Sequence, residues 1–466
     1  MENTTERLIR NASSLISHGL TTLRRDALEI AEAGIRRAIP YETTKRLLTV
    51  SGDTLSVAGR EYSLGELEHI YVIGVGKGAY PIARAMEERL GGRISEGVVL
   101  VKSGDCRRLR HIEVLESGHP IPDERGVEGA KKILSILRKA GERDLLLAAI
   151  TGGSSAMMNL PPEGVTLRDL QEINRLLLRS GADIAHMNAV RKHLCRMKGG
   201  HLVELAAPAP LHTFTLDTNP PGLLWPDLVY ADPSTFADAV RVLRDYGIWD
   251  AAPEGVKAHL LRGCDHPEME TPKRLSHRKN YIHSVADPDM ACRSAAERAA
   301  ELGYAPHILS TALDGEAREL GVFLACVANQ IAATDEPFCA PCALISGGET
   351  TVSIASGVSG TGGPNQETAL GFVLRVREDT GAVCVSLDSD GTDGPTDIAG
   401  GIADALTARR AQALGLRLEE ALAAHDASPA LQALEDAVIT GHTGTNIMNL
   451  RVVLVGKEEA WQRSKH

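Results

Sequence analysis

Between residues 70 and 217 the chain repeats one pattern: a short and almost unbroken apolar run, a turn rich in glycine or hydroxyls, and a stretch with helical periodicity. The runs are IYVIGVG (70–76), VVLVKSG (98–104), IEVLESG (112–118), LLLAAITGG (145–153) and FTLD (214–217), with helical spacing over 80–90, 126–140 and 167–180. Strands that are apolar on both faces must be covered on both faces, and intervening helices do this, so the pattern predicts a parallel sheet in an α/β fold. Such sheets bind ligands beyond the carboxyl ends of their strands. The glycine-rich turns are therefore the candidate site.

Before this region, Leu8, Ala12, Leu15 and then Leu28, Ala31 and Ile35 recur at helical spacing, so residues 5–39 read as helix with Pro40 as the stop. Residues 251–280 carry prolines and charges with little periodicity and read as a linker. Beyond them ALISGGE (343–349), VSIA (352–355), VCVSLDSDGTDG (383–394) and RVVLVG (451–456) read as strands, with helices near 291–302, 315–332 and 403–423. With 466 residues against ~150 for a typical domain, the expected organisation is an N-terminal domain over 1–250, the linker, and a second α/β domain over 281–466.

Composition narrows the partners. The net charge of −11 repels polyanions and anionic membranes, and Phe 5, Tyr 8 and Trp 3 leave few platforms for stacking bases, so nucleic acid is not the expected partner. No apolar run approaches the ~20 residues that cross a bilayer, and the charged start lacks a leader's apolar core, so a cytoplasmic protein acting on small metabolites is expected. The eight dispersed cysteines read as reduced thiols. Cys339-Ala-Pro-Cys342 has the spacing of a redox pair or half a zinc site, but no second pair completes it.

Several turns carry chemistry. Gly74-Val75-Gly76-Lys77-Gly78-Ala79 matches GxGxxA, the dinucleotide pattern, but the acid expected at the end of the next strand is replaced by Val101-Lys102-Ser103. What survives is an anion site, with free amides at a helix start and the Lys77 ammonium beside them. Thr151-Gly152-Gly153-Ser154-Ser155 and Ser346-Gly347-Gly348-Glu349-Thr350 follow strongly apolar strands and offer amides and hydroxyls to phosphate or carboxylate. As simple turns, their glycines would only supply positive φ. Asn188 to Gly200 concentrates Arg191, Lys192, His193, Arg196 and Lys198, either a binding surface or a solvated basic helix. Asp388-Ser389-Asp390-Gly391-Thr392-Asp393 clusters carboxylates at a strand end, as a hard cation such as Mg²⁺ requires. Thr440-Gly441-His442-Thr443-Gly444-Thr445-Asn446 is a further hydroxyl and glycine loop.

Taken together, GVGKGA, ESGHPIPDE, TGGSSA, NAVRKHL with KGG, SGGETT, GPNQE, DSDGTDG and TGHTGTN stand in the order found in type II glycerate kinases, which the chain resembles over residues 8–456. The resemblance implies an N-terminal Rossmann-like domain and a C-terminal MOFRL-type α/β domain around a cleft. It implies transfer of a phosphoryl group from Mg-ATP to the 2-hydroxyl of D-glycerate or a related small hydroxy acid, and leaves a homodimer open. On that reading Lys77, His186, Lys192, Glu349 and Asn365 are catalytic. Gly76, Gly78, Gly152, Gly153, Ser154, Ser155, Gly347, Gly348, Thr350, Thr443 and Asn446 hold the nucleotide, and Asp390, Asp393 and Asp217 serve Mg²⁺.

Four segments depart from the family pattern. The arginine of GGRNQE is Pro364, and the acid before the asparagine of NAVRKHL is His186-Met187. Residues 217–227 stand where the family has an SDVxGD-like loop and keep only Asp217 of its acid pair, and residues 283–289 replace a shorter family turn. Losing one preorganised donor typically costs ~10² to 10³ in rate. These departures keep two other readings in view: a non-kinase isomerase, decarboxylase or hydrolase of a small hydroxy or oxo acid, with His186 as acid or base, and a hydroxypyruvate reductase.

Overall fold

The computed structural model describes residues 7–104, 107–216, 227–354, 358 and 360–456. The chain divides into two compact units, one of residues 40–285 and the other of residues 1–39 together with 286–466.

In the unit 40–285 the apolar runs form a six-stranded sheet in the order Glu113–Ser117, Ile94–Lys102, His69–Val75, Asp144–Ile150, Leu211–Leu216, Asn280–Ala286. The first five strands pair in parallel throughout. Numbered along the chain this order is 3-2-1-4-5-6, the Rossmann arrangement, in which the winding direction reverses between the strands His69–Val75 and Asp144–Ile150. Every residue of Asp144–Ile150 is buried, as an interior strand covered on both faces requires. The helix Glu124–Lys139 turns Ile133, Ile136 and Leu137 into the sheet core, and Asp123 caps its start by accepting from the Gly126 amide.

Residues 251–280, read as a linker, instead contain the helix Glu254–Asp265. Its Val256 and Leu260 join the core formed by Leu170, Leu177, Phe236 and Leu243. The mixed polar text concealed a short helix with a single narrow apolar stripe.

The other unit has a six-stranded sheet in the order Ala305–Ser310, Cys342–Gly348, Asn449–Val455, Ala382–Asp388, Gly400–Asp404, Ala437–Val438. Only the first pair is parallel, and the strand Asn449–Val455 runs antiparallel between two long neighbours. VSIA (352–355) supplies no strand among its described residues.

Residues 1–39 belong to this second unit, contrary to the boundary expected from sequence. The predicted single helix is broken at Gly19 (φ 65°), giving Ala12–Leu15 and Thr21–Arg37, and Pro40 opens the next helix, Pro40–Leu47, where its missing N–H costs nothing. Leu23, Leu28, Ile30 and Ile35 enter the same core as Leu344, Val385 and Val453. Arg24, fully buried, donates to Asp404 and to Asp436 Oδ1 (2.7 Å) and fixes this attachment.

Candidate active site

The strands His69–Val75 and Asp144–Ile150 lie side by side, and after them the chain departs in opposite directions. Their two glycine loops meet at this reversal. The Thr151 amide donates to Val75 O (2.9 Å), the Lys77 amide to Gly152 O (2.9 Å) and the Gly78 amide to Thr151 Oγ1 (2.9 Å). Gly76 has φ 133°, and a Cβ there would stand 2.2 Å from Thr151 Oγ1, so only glycine permits the approach. At Gly153 (φ 89°), a Cβ would lie 3.2 Å from His119 Cδ2 and 3.4 Å from Lys77 Cγ. Lys77 and His119 therefore border the same glycine.

The amides of Gly152 and Gly153 donate to no other group among the described residues, and the buried hydroxyl of Ser154 has no partner. Ser155 Oγ donates to Asp227 Oδ2 (3.2 Å), while Lys198 Nζ donates to Asn159 Oδ1 (2.8 Å) and to Ser155 O (2.6 Å). Burial holds the Lys198 ammonium below its ordinary value and pushes the Asp227 carboxyl up, with each partner's charge opposing the shift. This buried pair props the loop from beneath. Lys198 and His119 were visible in KGG and ESGHP without a stated role.

Two expected members lie elsewhere in this unit. Lys192 Nζ is ion-paired to Asp232, and among the described residues no hydrogen bond joins it to the glycine loops. His186 stands half-exposed in the first turn of the helix Ile184–His193, held by Asp183 Oδ2 (2.8 Å) and Tyr246 Oη (3.3 Å). Its position three residues after the helix cap explains why it faces solvent. Asp217 lies outside the described residues.

In the second unit the predicted loops gather at one sheet edge, because Asn449 at the start of its strand pairs with both Gly348 and Asp388 at the ends of theirs. Gly347 and Gly348 serve packing here: Leu313 N donates to Gly347 O (3.0 Å), and a Cβ on Gly348 (φ 114°) would stand 2.2 Å from Leu313 N. Thr443 donates to Ser389 O, and Asn446 Nδ2 donates to Asp390 Oδ2 (3.3 Å), so the two loops lock together. Glu349 is exposed and Thr350 buried.

The structure gives Asp393 and Asn365 a different part from the one expected. Asp393 Oδ1 accepts from Asn365 N (3.1 Å) and Nδ2 (3.0 Å), and Oδ2 from Gln366 N (2.9 Å) and Nε2 (3.1 Å). With four donors its lone pairs are spent on the start of the helix Pro364–Val373, where a metal ligand must keep one outward. Asn365 is equally committed, giving Nδ2 also to Asn449 Oδ1 (2.5 Å) and accepting from Ser386 Oγ (2.7 Å). Asp390 Oδ1 accepts from the amide and hydroxyl of Thr392 (2.9 and 2.6 Å), and its Oδ2 from Asn446 Nδ2 (3.3 Å).

Sequence reasoning missed Arg451. It sits mid-strand, 1% exposed, and donates from Nη2 to Thr350 Oγ1 (2.7 Å), while Nε and Nη1 have no partner. Burial lowers its guanidinium to about 10, against the opposing pull of Cys384, Glu349, Asp393 and Asp388, so it remains a cation at neutral pH. A lone charged residue inside the apolar run LRVVLV was the available signal.

Sequence comparisons agree with this architecture. Residues 26–261 match a domain described as DUF4147, a domain of unknown function, and residues 342–449 match the MOFRL family. The chain is 38% identical to the glycerate 2-kinase of Pyrococcus horikoshii, over 93% of this chain and 97% of that protein. The chain belongs to the glycerate kinase family. The crystal structure of glycerate kinase from Thermotoga maritima superposes with a TM-score of 0.77 at 35% identity, covering 92% of this chain and 98% of that one. An Agrobacterium vitis protein with a provisional hydroxypyruvate reductase name is 37% identical over 83% of this chain and 87% of its own length. Among the described residues no helix is long and apolar enough to cross a membrane.

Proposed function

We propose that this glycerate kinase family member transfers the γ-phosphoryl group of ATP to the 2-hydroxyl of D-glycerate or a closely related small hydroxy acid. The observation that carries the reading is the meeting of Lys77 with the unspent Gly152 and Gly153 amides at the reversal of a 3-2-1-4-5-6 sheet.

The donor set at the glycine loops fits nucleotide phosphates, since amides and an ammonium suit phosphate oxygens. In the other unit, taken by itself, Asp388 and Asp390 are hard oxygen donors at a strand end, of the kind a Mg²⁺ ion takes. Bound Mg-ATP supplies the reactive phosphorus and its leaving group. In phosphoryl transfer nearly all catalysis is positioning and charge stabilisation. The Gly152 and Gly153 amides orient phosphate oxygens, and the Lys77 ammonium offsets charge on the outer oxygens of the moving group. The His119 imidazole, beside Lys77, is placed to take the hydroxyl proton. In the second unit Arg451 acts as a positioning residue, its Nη2 donating to Thr350 Oγ1 (2.7 Å) and its charge drawn toward Glu349 and Asp388.

The reductase reading is disfavoured by Lys102, which ends the strand Ile94–Lys102 where an acid would grip the nicotinamide ribose. The test is product formation from Mg-ATP and D-glycerate, with Lys77→Ala as the control. Phosphoglycerate from the wild type alone supports the reading, and hydroxypyruvate-dependent NADH oxidation without it refutes it.

A further inference from the structure

The basic segment 188–200 is not absorbed by the kinase loops, and much of it faces a cavity of about 360 Å³ within the unit 40–285. Arg138 comes from the end of the helix Glu124–Lys139, Arg196 from the turn after Ile184–His193, and Arg262 from the helix Glu254–Asp265. Among the described residues, none of these three guanidiniums has an ion pair or a side-chain hydrogen bond. Glu163 is the one carboxylate in the lining, and Lys192, also there, is already balanced by Asp232. The cavity therefore presents three uncompensated guanidinium charges against one carboxylate in a protein whose net charge is −11. Such a local reversal of sign concentrates anions.

The deeper lining has its own chemistry. His193 Nδ1 donates to Ala189 O (2.7 Å), and His259 Nε2 donates to His193 O (3.0 Å), so each ring's proton is assigned. His259 Nδ1 has no hydrogen-bond partner, whereas His193 Nε2 faces Glu270 Oε1 at 3.6 Å and Asp232 Oδ2 at 4.0 Å. Burial lowers the His259 imidazole, and its Nδ1 is an unspent acceptor in a lining that also holds Phe236, Leu160 and Met269. Arginines at the rim suit phosphate oxygens through their forked donors, and an acceptor at the base suits a hydroxyl group.

We infer that this cavity binds a phosphate monoester of a short polyol, its phosphate on Arg138, Arg196 and Arg262 and a hydroxyl toward His259. The site is separate from the kinase loops and does not rest on the proposed reaction.

Calorimetric titration of the full chain with inorganic phosphate and with glycerol 3-phosphate tests the inference. Wild-type protein is expected to bind glycerol 3-phosphate more tightly than phosphate, and Arg196→Gln with Arg262→Gln to weaken it by about tenfold or more, with turnover of the kinase substrates unchanged. Lys77→Ala is expected to bind as the wild type does. Arg262→Glu alone, on an exposed helix face, is a second variant should the double substitution fold poorly. Equal affinity in wild type and arginine variants, no binding by the wild type, or loss of binding in Lys77→Ala would each overturn it, the last by placing the ester at the kinase loops.

Discussion

The Lys77 amide donates to the carbonyl of Gly152 across 2.9 Å, which joins the loops of two adjacent parallel strands where the winding of the sheet reverses. That one bond ties Lys77, which carries the positive charge, to the loop with the unspent amides. It also explains why two separate sequence motifs act as one structure.

Lys77→Ala keeps this backbone bond and removes the ammonium. Its phosphotransferase rate is expected to fall by about 10² to 10³, as on losing a preorganised charge-stabilising group, with stability changed by no more than ~0.5 kcal/mol. An ADP-release assay and a thermal scan on the same sample check both halves. Unfolding of the variant would make Lys77 structural.

Gly76→Ala is expected to behave oppositely. The added methyl meets Thr151 Oγ1 at 2.2 Å, in a backbone conformation that L residues avoid, so a loss of about 2–4 kcal/mol is expected in urea unfolding. Wild-type stability would mean that the two loops separate freely.

Asp393→Ala separates a helix anchor from a metal ligand. Four donors lose their acceptor at once, and destabilisation of about 3 kcal/mol or more is expected in chemical unfolding. A stable variant with a raised Mg²⁺ requirement would restore the metal role read from sequence.

Arg451→Met tests the buried cation. Arg451 is buried with no ion pair among the described residues and with two unpartnered nitrogens, so an apolar side chain of similar length removes a desolvation cost. The fold is expected to hold while kcat falls by about tenfold or more and KM for ATP changes less. The pH–rate profile should also move, because a buried positive charge beside Glu349, Asp388 and Asp393 is removed. An unchanged kcat and profile would assign Arg451 to packing alone.

The attachment of residues 1–39 predicts an acid-sensitive step. Burial alone would raise the Asp436 carboxyl, but the His18 hydrogen bond and the charges of Arg24 and Arg410 bring it below its ordinary value. Its stabilisation is therefore full above the unfolded value near ~4 and is lost as pH falls through the lower folded value. Asp436→Asn should lower stability at neutral pH by about 3–5 kcal/mol and flatten the acid limb of the stability curve. An acid limb identical to that of the wild type would contradict it.

Much of the first sheet was legible because its strands are buried on both faces and read as unbroken apolar runs, and because strand, glycine and helix follow one another locally. The same logic failed where the decisive partner is remote in sequence. Asp393 and Asn365 looked like ligands in a carboxylate and amide cluster, and only the fold shows them spending their hydrogen bonds on each other, 28 residues apart. Lys192 looked like a phosphate lysine until Asp232, 40 residues on, took its charge. Leu28 and Ile35 announced a helix but not that its core lies with residues beyond 286. Periodicity reports which face is buried and is silent about what buries it.

The most direct test of the account is phosphorus NMR of the purified full-length protein incubated with Mg-ATP and D-glycerate. The account predicts a growing 2-phosphoglycerate resonance with matching ADP, both absent in Lys77→Ala. ATP left intact while the same protein oxidises NADH with hydroxypyruvate would contradict it.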